Sequence, residues 1–109
     1  MARDEGLEEL LRTDLAEQRG LTEKGMFGGR CWMLGGNLLC GARDDGMLAR
    51  LGAGNDAWAL KTPGIAPMIS RGRAMRGWVR AAPEAYGDDA LRRKLIDAAL
   101  AFVSGLPEK

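Results

Sequence analysis

Residues 25–43 read GMFGGRCWMLGGNLLCGAR. The Gly35-Gly36 pair between two apolar runs constrains the fold more than any other feature of the chain. A two-residue hairpin turn of the favoured kind needs positive φ at its central positions, and glycine adopts it without a Cβ clash. The segment therefore predicts an antiparallel hairpin of residues 24–34 and 37–43. Two other readings compete for the same residues. Glycines that cradle a phosphate place successive N–H groups at the opening of a helix, but here Gly28-Gly29 leads into Arg30-Cys31-Trp32-Met33-Leu34, a strand pattern. A catalytic cysteine needs an activating base, and the chain of 109 residues contains no histidine. The glycines are read as turn, bend or bulge.

Periodicity places the other elements. Asp4 caps a helix over about residues 4–19, with Leu7, Leu10, Leu11 and Leu15 on one face and Glu8, Glu9 and Arg12 opposite. Asp45-Gly46 is a second turn signal, joining 38–44 to 47–51. Asn55 or Asp56 caps a short helix through Leu60, which Thr62-Pro63-Gly64 ends. Pro67-Met68-Ile69 reads as an edge strand, residues 70–73 as a turn and 75–82 as a strand. Asp88 caps a last helix whose stripe is Leu91, Leu95, Ala99, Phe102 and Leu106. The result is an α+β domain with an antiparallel sheet in the order α-β-β-β-α-β-β-α. Phe27, Trp58 and Phe102 are expected to be largely buried.

Composition narrows the function. The formal net charge is +1, so the whole chain is not a polycation seeking nucleic acid. No run of about twenty apolar residues exists, and no membrane association is expected. The N-terminus has no signal-peptide core, which predicts a cytoplasmic protein with free thiols. Without histidine, Ser-His-Asp and Cys-His pairs and most zinc sites are excluded. No Walker or dinucleotide motif occurs. No cofactor and no metal are expected, and the chain is read as non-enzymatic.

Counting outward from the glycine turn puts Cys31 opposite Cys40 as a non-hydrogen-bonded pair, with Cα atoms about 4.5 Å apart and within disulfide range. Two buried thiols are the plain reading, and a reversible redox pair is the alternative. The basic stretch offers the leading candidate surface. Residues 71–80 hold Arg71, Arg73, Arg76 and Arg80 and no acid. Strand alternation groups Arg76, Trp78 and Arg80 on one face, where an aromatic between two arginines suits a binding surface. Arg92, Arg93 and Lys94 on the last helix are candidates to extend it. Asp44-Asp45 and Glu8-Glu9 read as turn and solvent-face residues.

Several stretches recur together. They are MFGG at 26–29, the glycine-turned hairpin, DGMLARLG at 45–52, a short helix, PM at 67–68 and M-x-G-W at 75–78 before the final helix. In this order and spacing they resemble the N-terminal domain of the TfoX/Sxy family over residues 5–106. The resemblance implies an α+β fold and bacterial origin. Full-length relatives regulate natural competence with the cyclic-AMP receptor protein and carry a second, C-terminal domain, which is not expected in this chain. The chain is read as one TfoX N-terminal-like domain over 1–109. The function expected is a protein-interaction or regulatory domain linked to transcription or competence, with a protein partner and a homodimer as a further option. The alternatives are a small ligand-binding protein or enzyme with a pocket near Cys31, Cys40 and the MFGG bend, and direct nucleic-acid binding.

Overall fold

The structure, a computed structural model, describes residues 4–26, 29–43 and 46–108. The elements are α1 (Glu5–Asp14), β1 (Leu21–Met26), β2 (Gly29–Leu34), β3 (Asn37–Arg43), β4 (Gly46–Arg50), α2 (Ala57–Leu60), β5 (Ile65–Ser70), β6 (Arg73–Ala81), α3 (Pro83–Tyr86) and α4 (Asp89–Val103). The fold is α+β, with one six-stranded antiparallel sheet in the order β1-β2-β3-β4-β6-β5.

The glycine hairpin is present. Gly35 and Gly36 have φ of 60° and 83°, and Leu34 faces Asn37. The element order differs from the expectation in two places. The long strand predicted from residue 24 is two strands, β1 and β2, which pair antiparallel with Met26 opposite Gly29. Phe27 and Gly28 of the MFGG stretch lie outside the described residues, as do Asp44 and Asp45. An extra short helix, α3, precedes α4, with Pro83 at its first turn, where a missing N–H costs nothing.

All the helices lie on one face of the sheet. The core beneath them joins Leu7, Leu11 and Leu15 of the α1 region with Leu95, Ile96, Ala99 and Val103 of α4. From the sheet it takes Trp32, Cys40, Ala42, Met47, Ala49, Val79 and Ala81. Alternation explains the strand members, since β4 and β6 send every second side chain inward. Asp4 and Asp88 cap as expected, their carboxylates accepting from Leu7 N and Leu91 N, whereas Asp56, at the N-cap position of α2, makes no capping hydrogen bond and accepts from Gly77 N instead.

Three packing expectations need correction. Trp58 and Phe102 are half-buried, packed against the margin of the core, while Phe27 is outside the described residues. The inward stripe of α4 keeps Leu95 and Ala99 but is completed by Ile96 and Val103, while Leu91 and Phe102 of the expected stripe are only partly buried. Glu8, expected on the solvent face of α1, is 2% exposed.

Two ion-pair clusters lock helices in place. Arg12 on α1 donates from Nε and Nη2 to Glu23 on β1 at 3.1 and 2.9 Å, and Arg30 on β2 donates to the same carboxylate at 2.8 Å. Deeper in, Arg92 on α4 donates to Asp14 of α1 at 2.6 Å and to the Tyr86 carbonyl at 2.9 Å. Arg92 is therefore a structural residue, not an extension of a basic surface.

Candidate functional site

The register of β2 and β3 decides where the cysteines go. Met33 faces Leu38 as the glycine turn requires, but a bulge follows, and Trp32 then faces Cys40 while Cys31 faces Gly41. The expected Cys31–Cys40 pairing is thereby corrected. The extra residue is Leu39. A bulge lets two consecutive side chains point the same way, and Leu39 and Cys40 both enter the core. Cys40 lies under the helices, and Cys31 lies on the opposite face of the sheet. Both thiols are free and buried. Burial pushes the Cys31 thiol up to about 11, with Arg43 pulling it partly back. Burial pushes Cys40 higher still. Neither cysteine lines either of the two larger grooves, so the expected pocket near them is not where the open space lies.

The helix-free face of the sheet holds a groove of about 380 Å³, within the usual range of ligand and docking sites. Its floor is apolar. Leu38 of β3 and Leu48 of β4 face away from the helices, as do Met68 of β5 and Trp78 of β6. Met75, Ile69 and Ser70 form one side, and Arg43 and Arg71 supply the charge. Arg43 Nη1 lies 3.5 Å from Met68 Sδ. That contact reaches across the two intervening strands β4 and β6. No aspartate or glutamate lines the groove among the described residues.

The groove owes its shape to an irregularity in β6. Pro67 pairs with Val79, but Ile69 pairs with Ala74. Met75, Arg76, Gly77 and Trp78 thus stand opposite Met68 alone. Gly77 anchors the excursion. Its φ is 84°, its carbonyl accepts from Leu51 N and Gly52 N at 2.7 and 3.1 Å, and its N–H donates to Asp56 at 3.3 Å. A Cβ there would stand 2.4 Å from Gly52 C and Ala53 N. The M-x-G-W stretch is therefore a fixed bulge that delivers Met75 and Trp78 to one groove.

The candidate residues separate accordingly. Val79 and Ala81 point into the core, which puts Trp78 and Arg80 on the helix-free face. Arg76 is exposed but sits beyond Gly77, where strict alternation ends, and it does not line the groove. Trp78 is held from the side by Arg50, whose guanidinium carbon is 5.0 Å from the ring centroid. The sequence reading missed Arg50, Arg43 and the methionines. Arg50 and Arg43 were visible as the outward members of alternating strands, but the bulge that brings Met68 and Met75 beside them left no such signal.

A second, more open groove of about 880 Å³ lies between α2 and α4, lined by Trp58, Phe102 and Leu106 among others. Lys94 sits 4.4 Å from the Trp58 ring centroid, so it serves this helical side and not the basic face. No cluster of potential metal ligands occurs among the described residues, and no described helix is long and apolar enough to cross a membrane.

An antiparallel sheet with helices on one face and a basic, methionine-lined groove on the other defines an α+β domain of the class expected from the sequence. Residues 13–103 match the family described as the TfoX N-terminal domain, and the chain belongs to that family. No curated protein and no solved structure gave a match.

Proposed function

We propose that this chain is a non-enzymatic regulatory domain that docks a protein partner through the helix-free face of its sheet. Membership of the TfoX N-terminal domain family supports a regulatory role connected with competence or transcription. The observation that carries the docking reading is the groove itself. It is apolar at its floor, positively charged at its margin, and bounded by an aromatic that an arginine holds in place. Arg and Trp are the side chains that most often dominate interface energies. Trp78 lines the groove, Arg80 flanks it opposite Leu48, and Arg76 stands at its edge.

The test is affinity capture from a bacterial lysate with three baits: the unaltered chain, Trp78→Ala, and the Arg76→Glu/Arg80→Glu double variant. Lys94→Glu, on the helical side, serves as control. One defined protein should be retained by the unaltered and control baits and lost by the other two, with nuclease making no difference. Retention by every bait would overturn the reading. Loss on nuclease treatment would favour direct nucleic-acid binding, which also predicts a steep fall of affinity with salt.

A further inference from the structure

The residues from Ile69 to Ala74 are all exposed. They close the β5–β6 hairpin, and they lie past the end of β4. Only Trp78–Ala81 of β6 pair with β4, whereas Arg73 and Ala74 pair with Ser70 and Ile69 of β5 alone. The hairpin end is thus a two-stranded arm that reaches beyond its neighbour in the sheet.

The turn of the arm carries strain. Pairing of Ser70 with Arg73 leaves Arg71 and Gly72 as a two-residue turn, with φ of 52° and 79°. Two positive φ angles suit asparagine or aspartate followed by glycine. Arg71 is the one non-glycine with positive φ among the described residues. A side chain held against its backbone preference points to function where packing does not demand it. Arg71 is exposed and has no hydrogen bond, ion pair or ring contact among the described residues, and the same is true of Arg73 and Arg76. The neighbouring arginines are engaged. Arg43 and Arg80 have contacts of their own, and Arg50 lies against the rings of Trp78 and Phe102. No aspartate or glutamate occurs between Asp56 and Glu84. The arm therefore presents three available guanidinium groups on a rigid, narrow ribbon.

Shape selects among anionic partners. A convex ribbon enters a groove, and the major groove of B-DNA, about 12 Å wide, admits a two-stranded one. The major groove of duplex RNA is too narrow for side chains to read. Single strands call for successive stacking platforms, and the aromatic residue of β6, Trp78, is already covered by Arg50. Ile69, 54% exposed beside the turn, suits apolar contact with thymine methyl groups.

We propose that the β5–β6 arm seats in the major groove of duplex DNA, where Arg71, Arg73 and Arg76 neutralise backbone phosphates. This adds a second partner to the protein-docking reading and does not rest on it.

The experiment is a titration of the amide-labelled chain, followed by NMR and fluorescence anisotropy at several salt concentrations. The probes are a sixteen-base-pair DNA duplex, an RNA duplex of the same sequence and polyglutamate. The DNA duplex should shift the amides of residues 69–76. The logarithm of its affinity should fall against that of salt with a slope of about −3, close to one unit for each phosphate contact. Arg71→Gly separates binding from folding, because glycine accepts the positive φ. It should raise Tm by about 3 °C while weakening DNA binding several-fold and reducing the salt slope by about one unit. Arg73→Gln should reduce the slope likewise without raising Tm, and Lys94→Glu, on the helical side, should leave binding unchanged. An unaltered slope in Arg71→Gly, or a fall in its Tm, overturns the proposal. So does equal or tighter binding of polyglutamate or the RNA duplex, shifts confined to the α2–α4 groove, or no shift with any probe.

Discussion

Gly77 is the residue on which the groove depends most directly. Its φ of 84° suits glycine, and a Cβ would meet the backbone of Gly52 and Ala53 at 2.4 Å, which cannot give way as a flexible side chain could. Gly77→Ala is expected to lower stability by about 2–3 kcal/mol and to displace Trp78. A urea titration followed by tryptophan fluorescence reads both effects, and an unchanged midpoint would contradict the backbone argument. Glu23 governs the acid limb of stability. Hydrogen bonds from Arg12, and a further one from Arg30, bring its carboxyl down from 4.5 to about 2 against the opposing push of burial. A depressed carboxyl stabilises the fold fully above its unfolded value and loses that contribution as pH falls. Stability should therefore decline between about pH 4.5 and pH 2, and Glu23→Gln should flatten that part of the profile in pH-dependent denaturation.

At the level of elements, α4 tests how far a helical stripe can be read from sequence. Leu91 and Phe102 belong to the expected stripe, yet the side chains that face the sheet completely are Leu95, Ile96, Ala99 and Val103. Ile96→Ala should cost about 2–5 kcal/mol. Phe102→Ala should cost less, because half-buried Phe102 borders the α2–α4 groove and leaves no closed cavity when shortened. Thermal melts of the two variants give the order, and a larger loss for Phe102→Ala would reverse the helix register. The Arg92–Asp14 pair joins α4 to α1 with side chains 5% and 8% exposed. Asp14→Ala leaves the buried guanidinium with only the exposed Asp89 carboxylate and the Tyr86 carbonyl as partners and should cost about 3 kcal/mol. The Asp14→Leu/Arg92→Met double variant should recover most of that, and a double-mutant cycle measures the coupling.

Across the whole molecule, the sheet separates the two thiols. Cys40 is enclosed with the helices and Cys31 is buried on the other face, so global opening is the common route to both. Labelling by an aromatic disulfide at pH 8 should be slow for both and should accelerate together with urea, following the population of open chain. Rapid labelling of Cys31 alone in the native protein would show that the helix-free face opens by itself. Turn chemistry, caps and strand alternation were legible in the sequence, as were the grouping of Trp78 with Arg80 and the family resemblance. Each of these is set by near neighbours in the chain, through positive φ at glycine, a carboxylate within reach of an orphan N–H, or a period of two. The bulge at Leu39, the excursion of β6 opposite Met68 and the inward turn of Glu8 were not legible. They depend on how strands from distant parts of the sequence meet, where one extra residue reverses the face of every side chain beyond it. The sequence by itself determined an α+β chain with its turns, caps and basic strand. Only the tertiary structure decided which cysteine lies under the helices and that arginines and methionines from three strands share one groove, because packing against partners far along the chain outweighs local alternation wherever the two disagree.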